Sequence, residues 1–356
     1  MKRVWILILG AVPVIASAQQ PERYVVSGDA VAVYNLAGVL RVEAGSGSDV
    51  VVEVTRGGAD RARLRVETGP LRDRATLRVI YPGDDIVYRA LGRGSNTTLD
   101  VRDDGTFNDD HDRRGGHARR YPAGRRVRIS GSDDGLDAYA DVHIAVPAGK
   151  RLEVYLGVGR AFVANVAGEL RLDVAAADVT ADHTKGSLRI DTGSGDVRLS
   201  DAEGTVGLDT GSGNVAVAGM RGHSLALDTG SGDVTAEQVA ADDLRIDTGS
   251  GGVTASAIRS PVVSISTGSG DVRLALESDV GSLDVDTGSG DVTVTVPPSA
   301  GAHVDVGTGS GEIDFQGVAL KVTRLEKAHV VGEMGDGKGR LKIETGSGEV
   351  RLVRGR

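Results

Sequence analysis

The sequence predicts an all-β protein: a β-solenoid, similar to a single-chain parallel β-helix with ~19-residue coils, that follows an irregular N-terminal β cap. The first observation is a hexapeptide, Thr-Gly-Ser-Gly followed by a polar or small residue and then Val or Ile. It begins at Thr192, Thr210, Thr229, Thr248, Thr267, Thr287, Thr308 and Thr345. The first seven copies follow one another at a nearly constant period, and the last step is about twice as long. That long step predicts one degenerate copy in between.

The second observation is a period-two alternation of apolar residues on both sides of the hexapeptide. Leu188, Ile190 and Thr192 alternate before one copy, and Val197 and Leu199 alternate after it. Such alternation is typical of strands with one buried face. An antiparallel meander or sandwich would share it, but stacked coils also explain why each copy is nearly identical.

The Gly-Ser-Gly segment is interpreted as a corner between two strands, because glycine accepts a positive φ without a steric clash. The preceding Thr is expected to bond to the turn backbone through its hydroxyl. In two representative copies, the structural turn residues are Thr192, Gly193, Ser194, Gly195, Thr229, Gly230, Ser231 and Gly232.

The third observation sets the domain boundaries. One period upstream of Thr192 lies Val174, and one further period upstream lies Leu156, both in decayed copies. We therefore place the solenoid array at 142–356 and the N-terminal β cap at 19–141. Residues 103–124 contain almost no apolar residue and are predicted to form a flexible loop.

Residues 1–18 have the pattern of a Sec-type signal peptide. Lys2 and Arg3 precede an apolar run, and Ala16-Ser17-Ala18 fits the cleavage site. The apolar run is too short to span a bilayer, and no other stretch predicts a membrane span. We expect export to the periplasm, the cell surface or the medium. The chain contains no cysteine, so no disulfide framework is predicted.

The loop at 103–124 raises two minor hypotheses besides a solvated loop. One is a divalent metal site formed by Asp109, Asp110, His111, Asp112 and His117, although their spacing fits no tight motif. The other is contact of an anionic glycan or lipopolysaccharide with Arg113, Arg114, Arg119 and Arg120. Nucleic acid is not expected as a partner, since an exported protein does not share a compartment with it.

Acidic residues recur on both sides of the corners. Stacked coils would align them in rows about 4.8 Å apart, where each like-charged pair costs about 1 kcal/mol even in water. The favoured interpretation is turn acids that cap corners. The alternative is bound Ca²⁺, which prefers carboxylate and carbonyl oxygens. The weak candidates for such a metal are Asp191, Asp196, Asp228, Asp233, Asp247, Asp271, Asp286 and Asp291.

Catalysis is not predicted, and no catalytic or cofactor-binding residue is assigned. The sequence has no nucleophile-elbow, zinc-protease or phosphate-loop motif. Pairs of acids at the spacing of a glycosidase recur throughout the array, so this spacing carries no information. A polysaccharide-active β-helix enzyme remains the less favoured alternative.

The segment Val142-His-Ile-Ala-Val-Pro147, the tandem Asp-Thr-Gly-Ser-Gly-Asp-Val units and the closing Gly337–Val350 segment resemble a known bacterial family. This is the family of β-strand-repeat domains named putative adhesins. The resemblance covers about residues 25–356 and implies a non-enzymatic envelope or cell-surface β-solenoid. We expect multivalent contact with a glycan, an envelope polymer or a partner protein. A calcium-dependent β-roll-like adhesin is the alternative.

Overall fold

The computed structural model describes residues 20–108, 124–132 and 134–355. Their regular elements are twenty-seven β-strands and two short 3-10 helices, Arg61–Arg63 and Arg89–Leu91. The predicted all-β class is confirmed. The strands are β1 Glu22–Val26, β2 Ala30–Ala44, β3 Val50–Gly57, β4 Arg65–Leu71, β5 Arg74–Ile80, β6 Asp85–Val87, β7 Asn96–Val101, β8 Arg125–Ser130, β9 Leu136–Asp137, β10 Tyr139–Val146, β11 Arg151–Ala164, β12 Ala167–Ser194, β13 Val197–Ser212, β14 Val215–Ala218, β15 Arg221–Ser231, β16 Val234–Thr248, β17 Val253–Arg259, β18 Val262–Thr267, β19 Val272–Leu276, β20 Ser282–Thr287, β21 Val292–Val296, β22 Ala302–Thr308, β23 Ile313–Gln316, β24 Leu320–Glu326, β25 His329–Met334, β26 Gly339–Thr345 and β27 Val350–Arg354.

From β11 to β21, neighbouring strands pair in parallel, and the offset between paired residues equals the sequence period. Each residue therefore lies beside its equivalent in the next repeat. Leu208 lies beside Leu227 and Thr229 beside Thr248, for example. The strands β12 and β13 are long because their parallel pairing with neighbouring strands continues on both sides of each bend.

The core consists of the inward rows of Val, Leu and Ile. Leu225, Leu244 and Val263 follow one another along one row and are at most 1% exposed. Burial of such a side chain contributes about 1.5–3 kcal/mol. A single repeat buries few of them, so neighbouring repeats must stack before the fold is stable.

The N-terminal region continues this stack and adds antiparallel strand pairs to it. β2 pairs in parallel with β11, while β1, β3 and β10 form antiparallel pairs. A small sheet with the order β7-β8-β6-β9 lies beside them. Aromatic residues concentrate here: the rings of Tyr34 and Tyr155 stack at 4.5 Å, and Phe107 meets both edge-on.

The C-terminal repeat departs from the prediction. β26 and β27 pair with β20 and β21 on one side and with β22 and β23 on the other. The last repeat of the sequence is thus inserted between the two repeats that precede it. The degenerate copy predicted between Thr308 and Thr345 is wrong. Those residues instead include an antiparallel hairpin, β24–β25, whose β25 pairs with β22. The hairpin reverses the chain, which allows the last repeat to enter the stack.

Several predicted features lie outside the described residues. These are the signal peptide at 1–18 and, within the predicted loop, every proposed metal ligand and arginine from Asp109 to Arg120. Of the loop at 103–124, the structure describes residues 103–108 and 124. Phe107 is only 1% exposed, so the start of this segment is packed against the stack.

Candidate interaction surface

The pre-corner row consists of the outward acids that directly precede the corner threonines. Asp191, Asp209, Asp228 and Asp247 are consecutive partners in the parallel ladders. Ser266 interrupts the row before Asp286, and Glu344 follows it. Asp173, which the sequence analysis missed, lies one period before Asp191. The spacing of one period was the sequence signal that could have identified it as a member of the row. Unlike the outward acids, Asp173 is buried, and its carboxylate accepts a hydrogen bond from the Asn108 amide at 3.0 Å.

The corners are held together between repeats. The hydroxyl of Thr229 donates to the Gly213 carbonyl at 3.2 Å, and the equivalent bond recurs in the following copies. Thr192 bonds more closely within its own corner, to the Ser194 carbonyl at 3.1 Å, and lies 3.5 Å from the Ala177 carbonyl. These threonines are buried, so each bond satisfies a polar group that would be costly to leave without a partner.

The corner glycines are required mainly by close packing. A Cβ on Gly232 would lie 2.0 Å from the Gly213 carbonyl oxygen, and one on Gly195 would lie 2.3 Å from that of Ala177. Gly195 also has a φ of 127°, whereas Gly193, Gly230 and Gly232 do not lie in the left-handed region. The backbone freedom expected from the sequence therefore applies to some corners only. Ser194 and Ser212 lie between the glycines and are paired in register.

The post-corner row consists of the residues that directly follow the corners: Asp178, Asp196, Asn214, Asp233, Gly252, Asp271, Asp291, Glu349 and Glu312. Its side chains bond along the stack. Asp178 accepts a hydrogen bond from the backbone N–H of Asp196, and Asp196 accepts one from that of Asn214, both at 3.0 Å. The same bond recurs from Asp291 to Asp271 and from Glu349 to Asp291. Each of these carboxylates thus meets a backbone donor of the next repeat.

These bonds have an electrostatic consequence. The backbone N–H of Asn214 holds the pKa of the Asp196 carboxyl below its usual range, with a further contribution from Arg198 at 3.0 Å. Arg273 pairs with Asp271 in the same manner at 2.9 Å. Donors and cations therefore offset the like-charge repulsion of this row.

Each repeat has a second bend, called here the opposite bend, about halfway along the sequence between successive corners. It was not recognised from the sequence. Asn165, His183, Asp201 and Gln238 all have a φ between 49° and 57°, and they recur at steps of one or two periods. Asn and Asp tolerate this left-handed conformation better than most residues. The recurrence of such a residue at one position of the repeat was the sequence signal that could have predicted the bend.

Within the described residues, one group of at least three acids or histidines places its ligand atoms within 4.8 Å of one another: Asp182, His183 and Asp201. It lies at the opposite bend and includes none of the eight predicted calcium candidates. His183 contacts Asp182 at 2.6 Å, which raises the pKa of the imidazole. The bonds from Ser200 and His183 lower the pKa of Asp182.

A groove of about 650 Å³ lies between the small sheet and the first repeats of the stack. Tyr88, Ser95 and Asn96 line one wall, and Arg160 and Asp178 line the other. Here the corners read Leu-Gly-Val-Gly and Val-Ala-Ala-Ala in place of Thr-Gly-Ser-Gly. The first consensus corner also contributes Ser194 and Gly195 to the lining.

The part of the chain that contains the parallel repeats and their corners matches a known protein family. The model of the family described as Toastrack DUF4097 matches residues 140–353. The chain belongs to the Toastrack DUF4097 family. No curated protein matches it.

One solved structure similar to this Toastrack chain is described as a "putative cell adhesion protein" from Clostridium sporogenes ATCC 15579. It shares 11% identity, with coverage of 94% of this chain and 100% of the other, at a TM-score of 0.22. The two structures superpose too poorly at that value to transfer any property. In the part of the Toastrack chain that the structure describes, no helix has the length and hydropathy needed to cross a bilayer.

Proposed function

We propose that the parallel ladders form one continuous β-solenoid, and that the protein is an exported, non-enzymatic interaction protein of the cell envelope or surface. The observation that supports this best is the constant register of the outward residues. Asp191, Asp209, Asp228 and Asp247 repeat at one spacing along a single face. A ligand with its own regular repeat can contact several such positions at once. Weak contacts of this kind become strong together through avidity.

The charge of this face restricts its partners. The segment that carries this face, residues 169–247, contains fifteen acids and six Lys or Arg, a net charge of −9 for the segment as a whole. Such a face favours partners with amines or other cations, and sugar hydroxyls can donate to its carboxylates. An envelope glycan or polymer that carries amino groups, or a basic partner protein, fits both conditions. Contacts between exposed charges should weaken as salt is added.

The test is an in-register deletion. Removal of residues 205–242 takes out two repeats and joins Gly204 to Asp243, because Thr205, Ser224 and Asp243 occupy equivalent positions. Binding to purified peptidoglycan sacculi is measured by co-sedimentation. We expect several-fold weaker binding, since two of many weak contacts are lost while the rest remain. Circular dichroism and thermal melting verify that the shortened chain is folded.

The same assay separates this proposal from an enzyme. Release of reducing sugar ends from the sacculi by the full chain would contradict a non-enzymatic role. So would an all-or-none loss of binding by a folded deletion variant, because that result indicates a single site rather than a repeated face.

A calcium-dependent adhesin is the second candidate, and the pre-corner row favours it. Asp191, Asp228 and Asp247 lack the bonds to backbone N–H groups that the post-corner carboxylates accept in the described structure. Their repulsion is therefore less offset. A cation with oxygen ligands would relieve it, and a comparison of melting temperatures in EDTA and in Ca²⁺ tests this.

A further inference from the structure

The strand β24 lies at an edge of the sheet and is exposed on both faces. All residues from Lys321 to Glu326 are exposed, including Val322 at 48% and Leu325 at 74%. In the described structure, β24 pairs with β25 on one side only. An edge with free backbone donors and acceptors and with exposed apolar side chains is a template for another strand.

The apolar side chains of β24 continue the buried face of the stack. Val322 lies opposite Gly332 and Leu325 opposite Val330, and both partners are buried. Gly332 and Val330 share one face of β25 because they are two residues apart. Val322 and Leu325 therefore share that face as well, and the apolar rows of the core run out into solvent at β24.

A β-bulge makes this arrangement possible. In a regular strand, residues three apart point to opposite faces. The register of β24 shifts between Val322 and Arg324, so Thr323 is the additional residue. One additional residue restores the alternation, which places Val322 and Leu325 on one face and Lys321 and Glu326 on the other.

We propose that β24 pairs with β24 of a second copy of this chain, in an antiparallel, two-fold symmetric register with Val322 opposite the partner's Leu325. The sequence from Lys321 to Glu326 is complementary to itself in that register. Val322 then meets Leu325 across the axis, and Lys321 meets Glu326. Each contact occurs twice because the interface is isologous.

Charge selects this partner over other strands. Lys321 makes no ion pair with any described residue, although Glu333 is its neighbour in the ladder. Glu326 accepts from Arg324 at 2.8 Å and has room for a second donor. A lysine on an edge discourages pairing with arbitrary strands, whereas here it meets a carboxylate. The dimer goes beyond the proposed function, since it doubles the repeated faces in one particle.

The test is a charge exchange followed by sedimentation equilibrium on the chain without residues 1–18. Lys321→Glu or Glu326→Lys alone places like charges opposite each other twice, and each change should weaken dimerisation about tenfold. The double variant Lys321→Glu with Glu326→Lys restores complementarity and should recover the dimer. The matched control exchanges an exposed pair elsewhere, Lys185→Glu with Glu203→Lys, whose side chains lie 3.0 Å apart. It should leave the dimer unchanged.

The register itself is tested by cross-linking. The chain has no native cysteine, so only the introduced cysteines can form a disulfide. A mixture of a Val322→Cys chain with a Leu325→Cys chain should form a disulfide-linked dimer upon oxidation, and either chain alone should do so poorly. A chain that remains monomeric up to about 0.5 mM overturns the proposal. The proposal is also overturned if the double charge variant does not recover the dimer. Neither result affects binding of the monomer to sacculi, so the proposed function is tested separately.

Discussion

The two acidic rows that flank the corners have the same charge but different surroundings. In the post-corner row, Asp196 accepts a hydrogen bond from the backbone N–H of Asn214 and pairs with Arg198. In the pre-corner row, Asp228 points outward from within a strand, where the backbone N–H groups are already used by the ladder. Position along the repeat, rather than charge, therefore decides whether an acid stabilises the stack. Within the described structure, Asp191, Asp228 and Asp247 are therefore the acids left available for a ligand.

The largest expected effect concerns the corner that separates the two rows. Gly232→Ala places a Cβ 2.0 Å from the Gly213 carbonyl oxygen, so neighbouring repeats must move apart. We expect a loss of about 3 kcal/mol or more in the free energy of unfolding, measured by urea denaturation.

Gly207→Ala is the matched control for the corner, because a Cβ at Gly207 meets no atom within 4 Å. We expect that variant to be neutral or stabilising by about 0.5 kcal/mol, since alanine restricts the unfolded chain. Equal destabilisation of both variants would show that the corners are not packed against each other as described.

The second effect compares the rows directly. Asp196→Ala removes the acceptor of the Asn214 N–H and should lower the free energy of unfolding by about 1 kcal/mol. Asp228→Ala removes only like-charge repulsion and should be neutral or stabilising by about 0.5 kcal/mol. The urea midpoints of the two variants, measured at the same pH and salt, decide the comparison. A loss of stability at Asp228 that matches the loss at Asp196 would remove the distinction between the rows.

The third effect is the pH dependence of the same bond. The pKa of Asp196 is lowered in the folded chain, while an unfolded aspartate titrates near ~3.9. Its stabilising contribution is therefore complete above that value and is lost as the pH falls through the folded pKa. The difference in urea midpoint between the native chain and Asp196→Ala should be full at pH 6 and should shrink below about pH 4. A difference that stays constant down to about pH 2 would assign the effect to packing rather than to the carboxylate.

The repeats were predictable from the sequence because their signals are local. The period sets the offset of the ladder, and the alternation sets which side chains are inward, so Leu225 and Leu244 fall where the pattern places them. The hydrogen bonds from backbone N–H groups to the post-corner carboxylates depend on the side-chain orientation of each acid toward the next repeat. No residue pattern in the sequence shows that orientation. The insertion of β26 between β20 and β22 was also hidden. Leu341, Ile343 and Thr345 read like any other repeat, and their place depends on the chain reversal at the β24–β25 hairpin.

The smallest expected effect is that of calcium, which tests whether the pre-corner row holds a cation. Bound Ca²⁺ would stabilise the fold by RT ln(1 + [Ca²⁺]/Kd) per site, about 2.7 kcal/mol at a hundredfold excess over Kd. The structure brings no three of the eight candidate aspartates into one cluster among the described residues, and Ca²⁺ takes six to eight oxygens. We therefore expect nearly equal melting temperatures in EDTA and in millimolar Ca²⁺. The control is Asp191→Asn with Asp228→Asn and Asp247→Asn, which keeps the shape of the row but removes three of its charges. A rise of more than about 10 °C with Ca²⁺, absent with Mg²⁺ and abolished in that variant, would instead make the pre-corner row a calcium site and the protein a calcium-dependent adhesin.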